Sequence, residues 1–120
     1  MEKTTLVIGA SLNPTRYSNI AIKRLRDKAV KTVAVGLKSG KVLDVVIETS
    51  KKMFNDVETV TLYLNAERQK EYYNYIISLQ PKRVIFNPGT ENPEFYTLLK
   101  ENDIKSEVAC TLVLLSTNQY

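Results

Sequence analysis

The chain has 120 residues, 43% hydrophobic and 25% charged, with no apolar run long enough to cross a bilayer and no recognisable signal peptide, so we expect one cytoplasmic domain over residues 1–120. It contains no histidine and one cysteine, Cys110, which excludes Ser-His-Asp and Cys-His catalysis, zinc sites with histidine ligands, and thiolate metal sites within the chain. The net charge of +4 suits an anionic ligand or solubility and does not by itself indicate DNA or RNA.

The first half of the chain predicts two buried strands separated by a helix. Residues 5–8 and 32–35 are short apolar runs, each followed by a glycine, which is typical of strands buried on both faces. Residues 17–28 between them have the spacing of an amphipathic helix. We expect one short extended segment at residues 42–47, and one helical turn at residues 50–55 that packs Met53 and Phe54.

The second half continues the alternation of strands and helices. It predicts strands at residues 59–64, 83–86 and 105–109, a helix at 66–79 capped by Asn65, and a helix opened by Asn92-Pro93-Glu94; residues 111–115 fit either a helical turn or an extended tail. The whole pattern predicts an α/β fold, a Rossmann-like, doubly wound, mostly parallel five-stranded sheet with helices on both faces. Ligands of such sheets bind at the carboxyl ends of the strands, where the strand order reverses.

The loop after the first strand, residues 9–18, is a candidate phosphate site. Gly9 allows a tight turn and a close approach of a ligand, and Arg16 offers a planar fork for phosphate oxygens. The start of the following helix favours a pyrophosphate. Three polar side chains could cap that helix: Asn13, Thr15 and Ser18. The alternative is a capped turn with one solvated arginine.

The nucleotide-binding fingerprints with several glycines are absent from this loop. Sites for NAD also place an acidic residue after the second strand, where this chain reads Gly36-Leu37-Lys38. A lysine there favours an additional phosphate, which NADP carries on the 2′ oxygen and coenzyme A (CoA) on the 3′ oxygen. The alternative for Lys38 is an ordinary exposed loop lysine.

Several short motifs resemble one family over nearly the whole chain. The opening Val7-Ile8-Gly9-Ala10-Ser11, followed by Arg16, Tyr17 and Ser18, resembles that of small stand-alone CoA-binding domain proteins, relatives of the CoA-binding domain in the succinyl-CoA synthetase alpha subunit. Leu64-Asn65, Asn87-Pro88-Gly89 and Cys110 resemble later motifs of the family in the same order. The chain departs from the family pattern at Gly36-Leu37 and at Asp44.

The resemblance implies binding of CoA or an acyl-CoA, without catalysis and without ligase activity. It implies that the phosphates and the adjacent ribose are held by Gly9, Ala10, Ser11, Asn13, Arg16 and Tyr17. It further implies an adenosine site at Gly36, Leu37 and Lys38, a path for the pantetheine arm along Asn65, Asn87, Pro88 and Gly89, and a position for Cys110 near the thiol end.

Two other classes of function remain open from the sequence. One is an NADP-binding, oxidoreductase-like domain, for which the chain has neither a separate substrate domain nor a histidine. The other is a protein or nucleic-acid interaction module; its best support, the basic group Lys23, Arg24, Arg26 and Lys28, fits a solvated helix face better. No nucleic-acid partner is therefore expected, and the tyrosines at 72, 73 and 75 are a weak indication of a homodimer.

Overall fold

The computed structural model describes residues 3–120, in which strands and helices alternate along the chain. The strands are β1 (Thr4–Ala10), β2 (Lys31–Gly36), β3 (Gly40–Val42), β4 (Val45–Glu48), β5 (Val57–Leu62), β6 (Arg83–Phe86) and β7 (Lys105–Val108). The helices are α1 (Tyr17–Asp27), α2 (Ala66–Gln69), α3 (Tyr73–Leu79), α4 (Pro93–Glu101) and α5 (Thr111–Ser116), with a short 3₁₀ helix (Lys70–Tyr72) between α2 and α3.

The strands of the described chain form one seven-stranded sheet in the order β3-β4-β2-β1-β5-β6-β7, parallel except between β3 and β4. The predicted α/β fold with a mostly parallel sheet is confirmed, but the prediction of five strands is wrong. The two additional strands are β3 and β4, which form a hairpin where one short extended segment was expected at residues 42–47. Leu43 has a φ of 53°, which reverses the chain, so that Val42 pairs antiparallel with Val45.

The central strand β1 marks the point where the strand order reverses. It pairs with β2 on one side and with β5 on the other. Strands β2, β3 and β4 therefore lie on one side of β1, and the later strands β5, β6 and β7 lie on the other side. The loops that follow β1 and β5 leave the sheet in opposite directions, and this divergence opens a crevice at the carboxyl ends of the strands.

Helices cover both faces of the sheet, as predicted. The side chains of β1 alternate between two cores, with Leu6 and Ile8 in one and Val7 in the other. Helices α3 and α4 cover the first core with Ile76 and Phe95, while α1 and α5 cover the second. Each fully buried aliphatic side chain stabilises the fold by about 1.5–3 kcal/mol, so the crevice stands on a sheet that is packed firmly from both sides.

The segment between β4 and β5 is not helical, and the prediction of a helical turn at residues 50–55 is wrong. Its backbone hydrogen bonds run from Lys52 N to Ser50 O and from Phe54 N to Lys52 O, so they span two residues instead of four. The segment must return from the carboxyl end of β4 to the amino end of β5 within eight residues, and a helix rises only about 1.5 Å per residue. Phe54 still packs against the first core, whereas Met53 is 60% exposed.

The remaining helices agree with the sequence in extent. The helix predicted at residues 66–79 exists, interrupted by the 3₁₀ helix, and residues 111–115 are helical within α5. The tyrosines at 72, 73 and 75, in the 3₁₀ helix and α3, pack within the chain. Tyr75 is buried, Tyr73 stacks on Phe95 at 4.3 Å between ring centroids, and Lys51 Nζ lies over the ring of Tyr72. No helix formed by residues 3–120 has the length and apolar character needed to cross a membrane.

Candidate ligand site at the carboxyl ends of the strands

A cavity of about 350 Å³ opens at the carboxyl ends of β1, β2, β5 and β6. It lies over the crevice where β1 and β5 diverge, which is the expected ligand position in a doubly wound sheet. Its volume falls within the range of about 300–1,000 Å³ that is common for small-molecule sites. Four loops and the starts of α1 and α2 form its walls.

Ten of the fourteen site residues predicted from the sequence line this cavity. They are Gly9, Ala10, Ser11, Arg16, Tyr17, Gly36, Leu37, Asn65, Pro88 and Gly89. They come from four separate stretches of chain, and the parallel sheet brings them to one edge.

The other four predicted residues lie around the cavity instead of lining it. Asn13 shapes the first loop, and Lys38 is exposed one position beyond the lining residue Leu37. Asn87 is buried, and Cys110 is the partly exposed N-cap residue of α5.

Gly9 is required by the path of the backbone. Its φ of +90° is a conformation that residues with a side chain rarely adopt, and an added Cβ would lie 2.9 Å from the carbonyl carbon and oxygen of Tyr63. At Gly36 an added Cβ would lie 2.3 Å from the Ala10 carbonyl oxygen. Both glycines thus let neighbouring strands approach closely at the floor of the cavity.

Side-chain hydrogen bonds hold the first loop in shape. Asn13 Oδ1 accepts hydrogen bonds from Thr15 N and Oγ1 at 3.0 and 2.8 Å, and Ser11 Oγ accepts one from Asn13 N at 3.1 Å. The buried Asn19 of α1 donates from Nδ2 to the Ser11 carbonyl oxygen at 2.9 Å. These bonds fix the position of the loop relative to α1.

The capping predicted for α1 is absent. The N-cap residue is Arg16, whose side chain makes no capping hydrogen bond, so Asn13, Thr15 and Ser18 do not have the predicted role. The first turn of α1 also carries no acidic residue. The partial positive charge at this helix end is therefore not neutralised by a capping side chain, a state that favours an anion in the adjacent cavity.

Buried amides connect the β5 and β6 loops. Asn87 Nδ2 donates to Thr61 Oγ1 at 2.6 Å and to the Leu62 carbonyl oxygen at 2.9 Å, and Asn87 Oδ1 accepts from Thr111 N at 2.9 Å. Thr90 Oγ1 donates to the carbonyl oxygen of Asn87 at 2.8 Å. Asn87 thus holds the β6 loop against β5 and the start of α5, beneath the lining residues.

The ionisable groups of the lining are arginines and tyrosines. Arg16 and Arg68 are exposed side chains on separate walls. Burial raises the pKa of Tyr63 to about 12, and burial also raises the pKa of Tyr72. Within residues 3–120, no aspartate, glutamate, lysine or cysteine lines the cavity, and no three potential ligands of the His, Cys, Asp or Glu types come together to hold a metal ion.

Six lining residues were missed by the sequence reasoning as site residues. They are Ser18, Tyr63, Leu64, Arg68, Tyr72 and Thr90. Most of them adjoin a predicted site residue, and extending each motif by one or two positions would have found them. Arg68 could have been found from its place three residues after the predicted N-cap Asn65, which puts it in the first turn at the same edge of the sheet.

The comparisons with known proteins agree with this geometry. The chain is similar to an uncharacterized protein of known crystal structure, with 45% identity, a TM-score of 0.95, and coverage of 100% of this chain and 99% of that one. A Thermus thermophilus protein (21% identity, TM-score 0.87, coverage 99% and 91%) and a hypothetical protein from Pyrococcus horikoshii OT3 (26%, 0.86, 97% and 83%) share the fold. No curated protein matches.

The family comparison covers nearly the whole chain. A family described as the CoA binding domain matches residues 3–116, which include every residue that lines the cavity. The mostly parallel sheet, the uncapped helix after β1 and the cavity at the strand ends agree with that match. The chain belongs to the CoA binding domain family.

Proposed function

We propose that the protein binds CoA or an acyl-CoA in the cavity at the strand ends and catalyses no reaction on it. The observation that carries the proposal is the character of this cavity. It lies at the reversal point of the sheet, beside an uncapped helix end, and the described residues of its lining include two arginines and no carboxylate. An elongated ligand with several phosphates matches these features.

The pyrophosphate would lie against the loop after β1. Gly9, Ala10 and Ser11 of this loop line the cavity, and Arg16, the N-cap residue of α1, lines it as well. The start of α1 supplies N–H groups and a partial positive charge. Asn13 would act indirectly, because its side-chain oxygen is already bonded to Thr15.

The adenosine would lie beside the loop after β2. Gly36, Leu37 and Tyr72 all line the cavity, and Gly36 and Leu37 belong to this loop. Leu37 is 75% exposed, so its side chain is accessible to a ligand at this end of the cavity. Lys38 follows outside the rim, where its ammonium group could reach the 3′-phosphate.

The pantetheine arm would run along the carboxyl ends of β5 and β6. Asn65, Pro88 and Gly89 line that end of the cavity. Asn87 would position the β6 loop from below. Cys110 does not line the cavity, so a role for its thiol toward bound CoA would require the arm to extend past the rim.

The absence of catalysis is proposed from the groups that the cavity offers. General acid–base chemistry at neutral pH needs a group whose pKa lies near 7. The chain has no histidine, the described lining has no carboxylate, lysine or thiol, and burial moves the pKa of Tyr63 to about 12. The lining therefore supports binding and offers no side chain suited to proton transfer at neutral pH.

Native mass spectrometry of the protein as purified, followed by thermal melts and calorimetry, tests the proposal. We expect a bound mass equal to CoA or an acyl-CoA, or else stabilisation on adding one. A ligand at 100 times its dissociation constant adds about 2.7 kcal/mol of stability. NADPH serves as the comparison ligand. Stabilisation by NADPH with none by CoA or acetyl-CoA would favour the oxidoreductase-like alternative, and no response to any of the three would overturn the proposal.

A further inference from the structure

Arg68 begins from a rigid position on the β5 side of the cavity. It is the third residue of α2, and its backbone N donates a 2.9 Å hydrogen bond to the side-chain oxygen of the N-cap Asn65. The next residue, Gln69, is fully buried and donates to the Leu64 carbonyl oxygen at 2.8 Å. The base of the Arg68 side chain is therefore fixed, while its guanidinium is exposed and lines the cavity.

No carboxylate of the described chain neutralises Arg68. The carboxylates nearest to it in sequence are both paired with lysines. Glu67 is 3.2 Å from Lys70 Nζ, and Glu71 is 3.7 Å from Lys51 Nζ.

Arg16 approaches the same cavity from the other face of the sheet. It is the N-cap residue of α1, and its carbonyl oxygen accepts hydrogen bonds from Asn19 N and Ile20 N at 3.1 and 3.2 Å. Within residues 3–120, Arg16 likewise forms no ion pair with a carboxylate. Glu91 contacts the rim, where its Oε1 accepts from Gly89 N at 2.9 Å, but it does not line the cavity.

Arg16 and Arg68 both line this cavity without a carboxylate partner among the described residues, and an anion with two binding ends can bind both guanidinium groups at once. Each guanidinium can donate two parallel hydrogen bonds to phosphate oxygens. A single phosphate would satisfy one wall, whereas a diphosphate has oxygens for both. We infer that Arg16 and Arg68 form a two-sided clamp for a diphosphate group, with Arg68 as the residue that distinguishes diphosphate from monophosphate ligands. The identity of the rest of the ligand rests on the proposed CoA function; the clamp itself does not.

Calorimetry with ADP, AMP, inorganic pyrophosphate and CoA tests the clamp on the full chain. We expect Arg68→Ala to weaken the binding of ADP, pyrophosphate and CoA about tenfold and that of AMP less than twofold. Arg68→Lys keeps the charge but not the fork, so it should recover only part of the loss. Arg24→Ala, an exposed arginine of α1 that does not line the cavity, is the matched control. Thermal melts of each variant show whether the fold is unchanged.

The possible outcomes separate the clamp from the proposed function. If Arg68→Ala binds ADP and CoA like the Arg24→Ala control, or weakens AMP as much as ADP, the clamp is wrong while CoA binding stands. If ADP and pyrophosphate bind in an Arg68-dependent way and CoA does not bind, the clamp stands and the proposed function fails. If no diphosphate ligand binds to the unmodified protein, both are wrong.

Discussion

The side-chain amide of Asn92 donates a 2.9 Å hydrogen bond to the amide oxygen of Gln69, and both residues are buried. Gln69 Nε2 in turn donates to the carbonyl oxygens of Leu64 and Thr90, each at 2.8 Å. Asn92 also caps α4, because its Oδ1 accepts from Phe95 N. One buried glutamine thus joins the β5 wall of the cavity to the β6 wall and ties both to α4.

Gln69→Leu should destabilise the fold by about 3 kcal/mol. The substitution leaves two buried carbonyl oxygens and one amide N–H group of Asn92 without their partners, and each such loss costs roughly 1–3 kcal/mol before local relaxation. Urea denaturation followed by circular dichroism measures the change. Gln119→Leu, at an exposed position, is the control and should change stability by no more than about 0.5 kcal/mol. Equal effects of the two substitutions would show that Gln69 does not join the walls.

Gly9→Ala should destabilise the fold more than Gly89→Ala. Both glycines have a positive φ, +90° and +91°, so an alanine at either position carries a similar backbone strain of about 1–3 kcal/mol. An added Cβ at Gly9 also meets the Tyr63 backbone at 2.9 Å and Leu64 Cδ2 at 3.1 Å, whereas an added Cβ at Gly89 meets no atom of residues 3–120 within 4 Å. The difference between the two variants in urea denaturation therefore isolates the contacts with Tyr63 and Leu64, and we expect it to be about 1–3 kcal/mol. If the two variants lose the same free energy of unfolding, the segment after β5 moves to accommodate the added Cβ without a cost in stability.

The stability of the protein should fall at alkaline pH through Tyr63. Burial raises the pKa of this phenol from 10.0 to about 12, so the folded state holds the proton more tightly than the unfolded state. The stabilisation is fully present below pH 10 and is lost as the pH rises from 10 toward 12. One such group accounts for about 1 kcal/mol between pH 9 and pH 11.

Tyr63→Phe should remove that part of the alkaline loss. Denaturant midpoints measured from pH 8 to pH 11 for the parent protein and the variant give the difference in slope. Tyr17→Phe, at a side chain that is 71% exposed, is the control. Burial also raises the pKa of Tyr75 to about 12, so the variant should keep the part of the alkaline loss that comes from Tyr75. An unchanged slope in Tyr63→Phe would contradict the assignment.

The alternation of buried strands with helices allowed the fold class to be predicted from the sequence. Residues 5–8 and 32–35 are apolar because helices cover both faces of the sheet, and this requirement leaves a strong local pattern. The hairpin of β3 and β4 left no such signal. It depends on a positive φ at Leu43, a residue type that does not favour one, and on an ion pair of Arg26 with Asp44 that joins the hairpin to α1.

The candidate site was predictable where it follows the strand ends, and less so where it depends on packing. Every parallel strand delivers its loop to the same edge, so Gly9, Gly36, Asn65 and Gly89 could be placed together from their positions in the chain. Asn87 is also at a strand end, but three hydrogen bonds turn its side chain inward as a support. The direction of a side chain at a strand end is set by neighbours such as Thr61 and Thr111, which are distant in sequence.

CoA should bind a few-fold more tightly than dephospho-CoA at low ionic strength. Lys38 is exposed beside the end of the cavity that we propose for the adenosine, and no acidic residue of the described chain occupies the lining there to repel a 3′-phosphate. An exposed contact of this kind contributes at most about 1 kcal/mol. Calorimetry with both ligands at about 20 mM salt measures the difference, which should shrink at about 200 mM salt because the Debye length falls below 10 Å.

Lys38→Ala should abolish the preference without weakening dephospho-CoA. Only the contact with the 3′-phosphate is lost, so the two ligands should bind the variant equally. Lys41→Ala is the matched control, since Lys41 is an exposed lysine of the neighbouring strand β3 that does not line the cavity. If the unmodified protein binds both ligands equally at low salt, Lys38 does not contact the 3′-phosphate, and the adenosine lies elsewhere than beside Gly36 and Leu37. If Lys38→Ala weakens both ligands alike, Lys38 acts on a group that they share, such as the diphosphate.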